Sequence, residues 1–240
     1  GGSVEGKTSF ALILGVAMLL SALVLGLFFY NAQKDQSTVT VVGQAVQGFE
    51  ADTVKWVITI EEETGPNDLA LGYRQLEEGV RNLKEQLSSR GIDASEISLK
   101  TPYVYKDYNY DLGVVTRLRF QQTVIVVTDE LDVVEELAFN PVQLLEANVN
   151  IMNSNVEFYY SKIDELKKEL VSLATRNAKE RAEKMLEQTD VKLGKLISVR
   201  SGVFQITEPY STEVSSLGIY DTSTRKKQIS VTASAVFAIK

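Results

Sequence analysis

Between Lys7 and Lys34 the chain carries no charged side chain, and the centre of that stretch is ALILGVAMLLSALVLGLFFY, residues 11–30. No other feature constrains the fold as strongly. At about 1.5 Å of rise per residue, roughly 20 apolar residues form a helix about 30 Å long, which matches the hydrocarbon core of a bilayer. The stretch has no polar stripe, so it does not suit a helix that packs one face on a soluble core. A secretory signal has a shorter apolar segment of about 7–15 residues, followed by small residues at its cleavage site. This stretch ends instead in the bulky Leu27, Phe28, Phe29 and Tyr30, and aromatics there suit a membrane interface. The reading is a single transmembrane signal-anchor helix over about 9–30, retained and contacting the lipid bilayer, with a polar linker at 31–37.

Small residues recur four apart at Ala11/Gly15, Ala17/Ser21 and Ala22/Gly26, a spacing that lets helices approach closely. Lys7 lies near Glu5 and Lys34 beside Asp35, so the positive-inside rule gives almost no orientation.

The absence of cysteine removes disulfides, thiolate chemistry, Cys-based metal sites and lipidation of an N-terminal cysteine. It also suits an oxidising compartment. The absence of histidine removes the commonest general base and the commonest transition-metal ligand. A net charge of -7 repels a phosphate backbone, so nucleic acid is not an expected partner. With 44% hydrophobic and 24% charged residues, the remainder reads as globular rather than disordered.

TVTVVGQAVQGFEADTVKWVITIEEE alternates apolar and polar positions in two runs, with EADT as the turn between them. Residues 66–90 form an amphipathic helix with Leu69, Tyr73, Leu76, Val80, Leu83 and Leu87 on one face, closed by Gly91. Strands follow around 96–106 and 114–128. A short helix starts near Asp129 and ends at Asn140-Pro141, and a strand covers 149–160.

The longest helix spans 162–188. One side carries Ile163, Leu166, Leu170, Leu173, Ala174, Ala178, Arg181, Ala182 and Met185, while Glu180/Lys184 and Lys179/Glu183 pair elsewhere. Strands at 193–207 and 225–240 close the chain, joined by a Ser- and Thr-rich segment. This order predicts an α+β class: one or two mixed sheets with amphipathic helices packed on one face, over 38–240.

Four tyrosines, Tyr103, Tyr105, Tyr108 and Tyr110, crowd TPYVYKDYNYDLG. They suit a half-wet hairpin surface or a subunit contact, and alternatively a platform for a protein or glycan partner. Asp107, Asn109 and Asp111 have the alternate spacing of a calcium loop. However, Leu112 and Leu118 stand where an EF-hand needs glycine and an acid, so an Asx turn is the simpler reading. Glu61, Glu62 and Glu63 read as a solvated strand end, with no base or nucleophile beside them. No catalytic, cofactor-binding or metal-binding residue is expected, and so no enzyme.

Residues 38–240 resemble the SIMPL-domain family, the YggE-like envelope proteins. The resemblance lies in the order of VVGQA, ADTVKWVITIE, SSRGI, EISLKTPYVYKDYNY, NVEFYYSKIDELKKEL, ATRNAKERAEKML, VKLGKLISVRSGVFQIT and DTSTRKKQISVTASAVFAIK. Many relatives have Gly-Tyr-Arg entering the central strand, where this chain has TRLRF. The resemblance implies an exported α+β domain with no known activity or cofactor, in a family where some members form large homo-oligomers and some are linked to envelope stress.

The expectation is therefore a single-pass protein of the bacterial inner membrane, with its C-terminal domain in the periplasm or cell exterior. It would self-assemble into a ring or cage with a structural or envelope-stress role, using exposed strands such as 114–128 and 225–240. An envelope partner bound at the tyrosine-rich hairpin is the alternative.

Overall fold

The computed structural model describes the backbone of residues 2–32 and 37–240, and side-chain surroundings for 14–30 and 37–240. Helix α1 spans Gly2–Ala32. Among the described residues no helix is long and apolar enough to cross a membrane. Part of the anchor expected at 9–30, the Ala11/Gly15 pair and most of the linker at 31–37 lie outside the side chains described. Along 14–30 the side chains are exposed all round. The Ser21 hydroxyl donates back to the Ala17 carbonyl.

Two five-stranded sheets follow. The first contains β1 (Thr38–Glu50), β7 (Leu193–Ser201), β8 (Gln205–Thr207), β9 (Ile219–Tyr220) and β10 (Lys226–Ile239). Here β10 pairs with β1 on one side, and with β8 and then β7 on the other. The second contains β2 (Thr53–Thr64), β3 (Ile97–Leu99), β4 (Tyr103–Asn109), β5 (Val114–Thr128) and β6 (Ile151–Tyr159). Here β2 lies between β6 and β5, and β5 pairs in turn with β3 and β4. All pairings are antiparallel except β8 with β9, so the first sheet is mixed.

The two alternating runs are not partners. Ala51 and Asp52 carry the chain from one sheet to the other, where their amides donate to Arg225 and Tyr159 carbonyls. The strand cores at 114–128 and 225–240 are interior, hydrogen-bonded on both sides. They cannot serve as the free edges expected for pairing between subunits. The edges belong to β1, β7 and β9 in the first sheet and to β3, β4 and β6 in the second.

Helix α2 (Leu69–Ser88) buries Leu76, Val80, Leu83 and Leu87 against Val54, Trp56, Ile58, Ile60 and Phe120. It starts later than Pro66 because a turn from Gly65 to Asp68 comes first. Leu69 and Tyr73 of the expected apolar face stay exposed. Gly72 takes over in that first turn, seated against the Phe120 ring with no room for a side chain. At the C-terminus Gly91 adopts φ +98°, and the amides of Gly91 and Ile92 return to the carbonyls of Ser88 and Leu87, a Schellman closure.

Helices α3 (Leu131–Phe139) and α4 (Val142–Glu146) add Val134, Leu137 and Leu144 to the same core. The pattern gave no sign of α4, which is too short to show a period. Asn148, at φ 57°, closes it much as Gly91 closes α2.

Helix α5 (Ile163–Leu186) covers β1 and β10, burying Leu166, Leu170, Ala174, Ala178 and Ala182. Its alanines allow close approach to Gly43. Met185 is exposed. Lys179 pairs with Glu183, but Glu180 reaches back to Arg176 and Lys184 forward to Glu187. Each sheet thus has helices on one face and is open on the other.

Candidate interaction site

On β5, Leu118, Phe120, Val124 and Val126 point towards the helices. Alternation therefore turns Arg117, Arg119 and Gln121 to the open face. Register places Tyr105 opposite Arg119 and Asp107 opposite Arg117. The Asp107 carboxylate accepts from Arg119 Nε at 3.0 Å and Nη2 at 2.9 Å, and lies 3.2 Å from Arg117 Nε. Arg117 also reaches Glu63 at 2.7 Å, while Arg119 lies 3.8 Å from Glu61. The Gln121 amide donates to Glu61. Hydrogen bonding to Glu63 raises the pKa of Arg117, and hydrogen bonding to Asp107 raises that of Arg119.

Tyr103 and Tyr105 lie opposite Gln121 and Arg119 of this charged lattice, whereas Tyr108 follows a register shift and faces Val115. Tyr103 and Tyr105 meet edge to face with centroids 5.9 Å apart, as do Tyr108 and Tyr110 at 5.1 Å. The Arg119 guanidinium lies 5.8 Å from the Tyr105 centroid. All four tyrosines are exposed, and β4 is an edge strand. This surface can stack on flat or apolar groups and can add a strand. No nucleophile with an adjacent base is brought together on it.

The Asp107/Asn109/Asp111 spacing resolves into other work. Asn109 Oδ1 accepts the amides of Asp111 and Leu112, each at 3.0 Å, and Gly113 closes the turn at φ +67°. Asp107 is committed to two guanidiniums. Among the described residues no group of three or more acids could hold a metal ion.

The glutamates correct a second expectation. Glu61 and Glu63 join the network, so they are more than a solvated strand end. Glu62 points to the opposite face, where burial first and Glu78 second raise its pKa.

Sequence reasoning missed the edge strands and a groove of about 610 Å³ between α5 and β7. It also missed the exposed Tyr210, Val214 and Leu217 in the otherwise polar loop between β8 and β9. Strand pairing decides which strands are edges, and alternation alone does not encode it.

These features define an α+β domain of two helix-backed sheets with an exposed aromatic and charged surface at one sheet edge. The SIMPL family, described as a protein of unknown function (DUF541), matches residues 39–237, and the chain belongs to it. It is also 29% identical over 146 residues to the uncharacterized protein YggE of Edwardsiella ictaluri (strain 93-146). That match covers 60% of this chain and 59% of the relative. Neither the family description nor the relative's name assigns an activity.

Proposed function

We propose that this chain is a membrane-anchored, extracytoplasmic protein that self-assembles into a homo-oligomeric ring or cage with a structural or envelope-stress role. The carrying observation is α1, whose described side chains are uncharged and exposed on every side. Such a surface needs lipid or other copies of itself to cover it. The uncharged sequence between Lys7 and Lys34 supports a span longer than the described side chains. Anchoring raises local concentration and so favours assembly, and the free edges of β1, β4, β6 and β7 offer pairing surfaces.

Light scattering and electron microscopy of the full chain in detergent test this. The expected result is a closed oligomer carrying a micelle, and a monomer would overturn it. A mature N-terminus at residue 31 or later in the native membrane would overturn the anchor.

A second reading rests on the paired tyrosine rings and the Arg119 contact on edge strand β4. In it the domain recognises an envelope protein or glycan. Changing Tyr103, Tyr105, Tyr108 and Tyr110 together to serine should then abolish binding while leaving the oligomer intact. Unchanged binding of every envelope component would eliminate this reading.

A further inference from the structure

The segment 208–218 between β8 and β9 exposes three large apolar side chains, Tyr210 at 95%, Val214 at 80% and Leu217 at 92%. The loop that carries them is held firmly. The Gln205 side chain donates to the Ser215 carbonyl at 2.7 Å and accepts its amide at 3.2 Å. The Gly218 amide returns to Ser215, and the Ile219 amide to Phe204. Tyr210 sits at φ 66°, a conformation uncommon for a non-glycine residue. Apolar groups are thus fixed in an outward presentation. Glu208 and Glu213 flank them, both exposed and neither in an ion pair among the described residues.

A complementary surface lies elsewhere on the chain. Because α5 covers β1 and β10 but touches β7 only at its start, around Leu193, a groove of about 610 Å³ opens between them. Leu196, 44% exposed, forms its apolar part over the largely buried Phe237, Arg176 and Lys179 form its basic rim, and no acidic residue lines it. The two cations hold only long ion pairs, 3.8 Å to Glu180 and 3.7 Å to Glu183, on an exposed helix face. Such pairs are worth little and exchange readily.

We infer that the 208–218 loop of one copy inserts into the α5/β7 groove of a second copy, with Tyr210, Val214 and Leu217 against Leu196 and Phe237, and Glu208 and Glu213 beside Arg176 and Lys179. The inference rests on the self-assembly reading and deepens it. Loop and groove lie apart within one chain. The loop leaves β8 at Thr207, which pairs with Gln228, and Phe237 is nine residues further along β10, roughly 30 Å at strand rise. Contact between two different patches is head to tail, and it closes into a ring when the rotation between copies allows. The acidic flanks disfavour the other occupant of an apolar loop, an anionic lipid surface.

Because the chain has no native cysteine, disulfide trapping reports only introduced pairs. In full-length protein in detergent, Leu196→Cys combined with Leu217→Cys should give a ladder of covalent multimers under mild oxidation. Leu112→Cys combined with Leu217→Cys should not. Arg176→Glu with Lys179→Glu should shift the assembly to monomer, as should Glu208→Lys with Glu213→Lys. Joining the two sets of reversals should restore the oligomer, which shows that the variants fold.

Oligomers indifferent to both reversals, with no ladder from Leu196→Cys/Leu217→Cys, would overturn this contact while leaving self-assembly standing. A polarity-sensitive dye on Leu217→Cys that becomes buried only in lipid nanodiscs, again without a ladder, would reassign the loop to the bilayer. A monomeric wild-type chain would defeat the assembly reading itself.

Discussion

Gly43 of β1 and Ala178 of α5 meet backbone to backbone, so close that a Cβ on Gly43 would overlap the Ala178 amide and the Ala174 carbonyl. Neither side can yield cheaply, because one is a helix backbone and the other a strand paired along its length with β10. Gly43→Ala should therefore destabilise by about 1–3 kcal/mol or more, the cost of overpacking. At Gly48 of the same strand a Cβ would meet only the Lys227 carbonyl at 3.9 Å, so Gly48→Ala should stay within about 0.5 kcal/mol of the parent. Denaturant unfolding of the full chain in detergent compares them, and equal losses would refute the close approach.

Trp56 is the single tryptophan and is fully buried, with Nε1 donating to Ser154 Oγ at 2.8 Å across the β2/β6 pair. Ser154→Ala removes that acceptor and should cost about 1 kcal/mol. Because Ser154 itself reaches solvent, water should take its place and shift the tryptophan emission to the red. An unchanged spectrum together with unchanged stability would show that the bond carries no weight.

Much of this architecture can be read from the sequence, for identifiable reasons. Val54, Trp56, Ile58 and Ile60 alternate because β2 has one covered face, and the α2 and α5 faces repeat because each helix covers a sheet. What stayed hidden depends on pairing or on single close contacts. Nothing in the sequence places β5 and β10 in the sheet interiors or sends β1 and β2 to separate sheets. Gly72 replaces Leu69 and Tyr73 at the start of the buried α2 face because of one aromatic ring, Phe120, 48 residues away in sequence. At the hairpin the tyrosines and the Asx turn were legible. The charge lattice opposite Tyr103 and Tyr105 required the β2/β5 register, which sets Glu61 and Glu63 across from Gln121 and Arg119.

Glu157 on β6 and Lys55 on β2 face each other, 2.7 Å apart. The Lys55 hydrogen bond first, aided by Tyr159, holds the Glu157 pKa below its ordinary value. A depressed carboxylate stabilises the fold above its unfolded pKa, and that contribution is lost as pH falls through the folded value. Glu157→Gln should therefore flatten the acid limb of a thermal stability profile below about pH 4.5. Identical acid limbs in parent and variant would refute the linkage.

Lys227 reverses the usual sign for a lysine that has a partner. It is 2% exposed, donates to the Asp221 carbonyl at 2.7 Å, and burial lowers its pKa more than Asp221 raises it. Between the lowered folded value and the ordinary unfolded one, the unfolded chain binds more protons, so stability from this group rises with pH. Lys227→Met should remove that alkaline gain while keeping a similar volume. A parent whose stability does not rise relative to the variant towards about pH 10 would contradict the burial argument.

Arg225 ties the end of β1 to α3. Its Nη1 donates to Asp132 at 2.5 Å and to Glu135 at 3.1 Å, while Nε lies 2.7 Å from Glu50 as an ion pair without hydrogen-bond alignment. The Asp132 hydrogen bond first, and Glu135 with it, raise the pKa of the guanidinium against the lowering effect of burial. The partners should not contribute equally. The Asp132 side chain is 87% exposed and Glu135 27% exposed, and a water-screened pair is worth far less than a half-buried one. Arg225→Met should cost about 1–3 kcal/mol, since it leaves Glu135 short of its charged donor. Glu135→Gln should cost more than Asp132→Asn despite the longer bond. A double-mutant cycle isolates each pair, with coupling expected to be larger for Arg225 with Glu135 and to persist in high salt, while the Asp132 coupling falls towards zero. The reverse order would mean that bond length, rather than solvent access, sets the strength of this clamp.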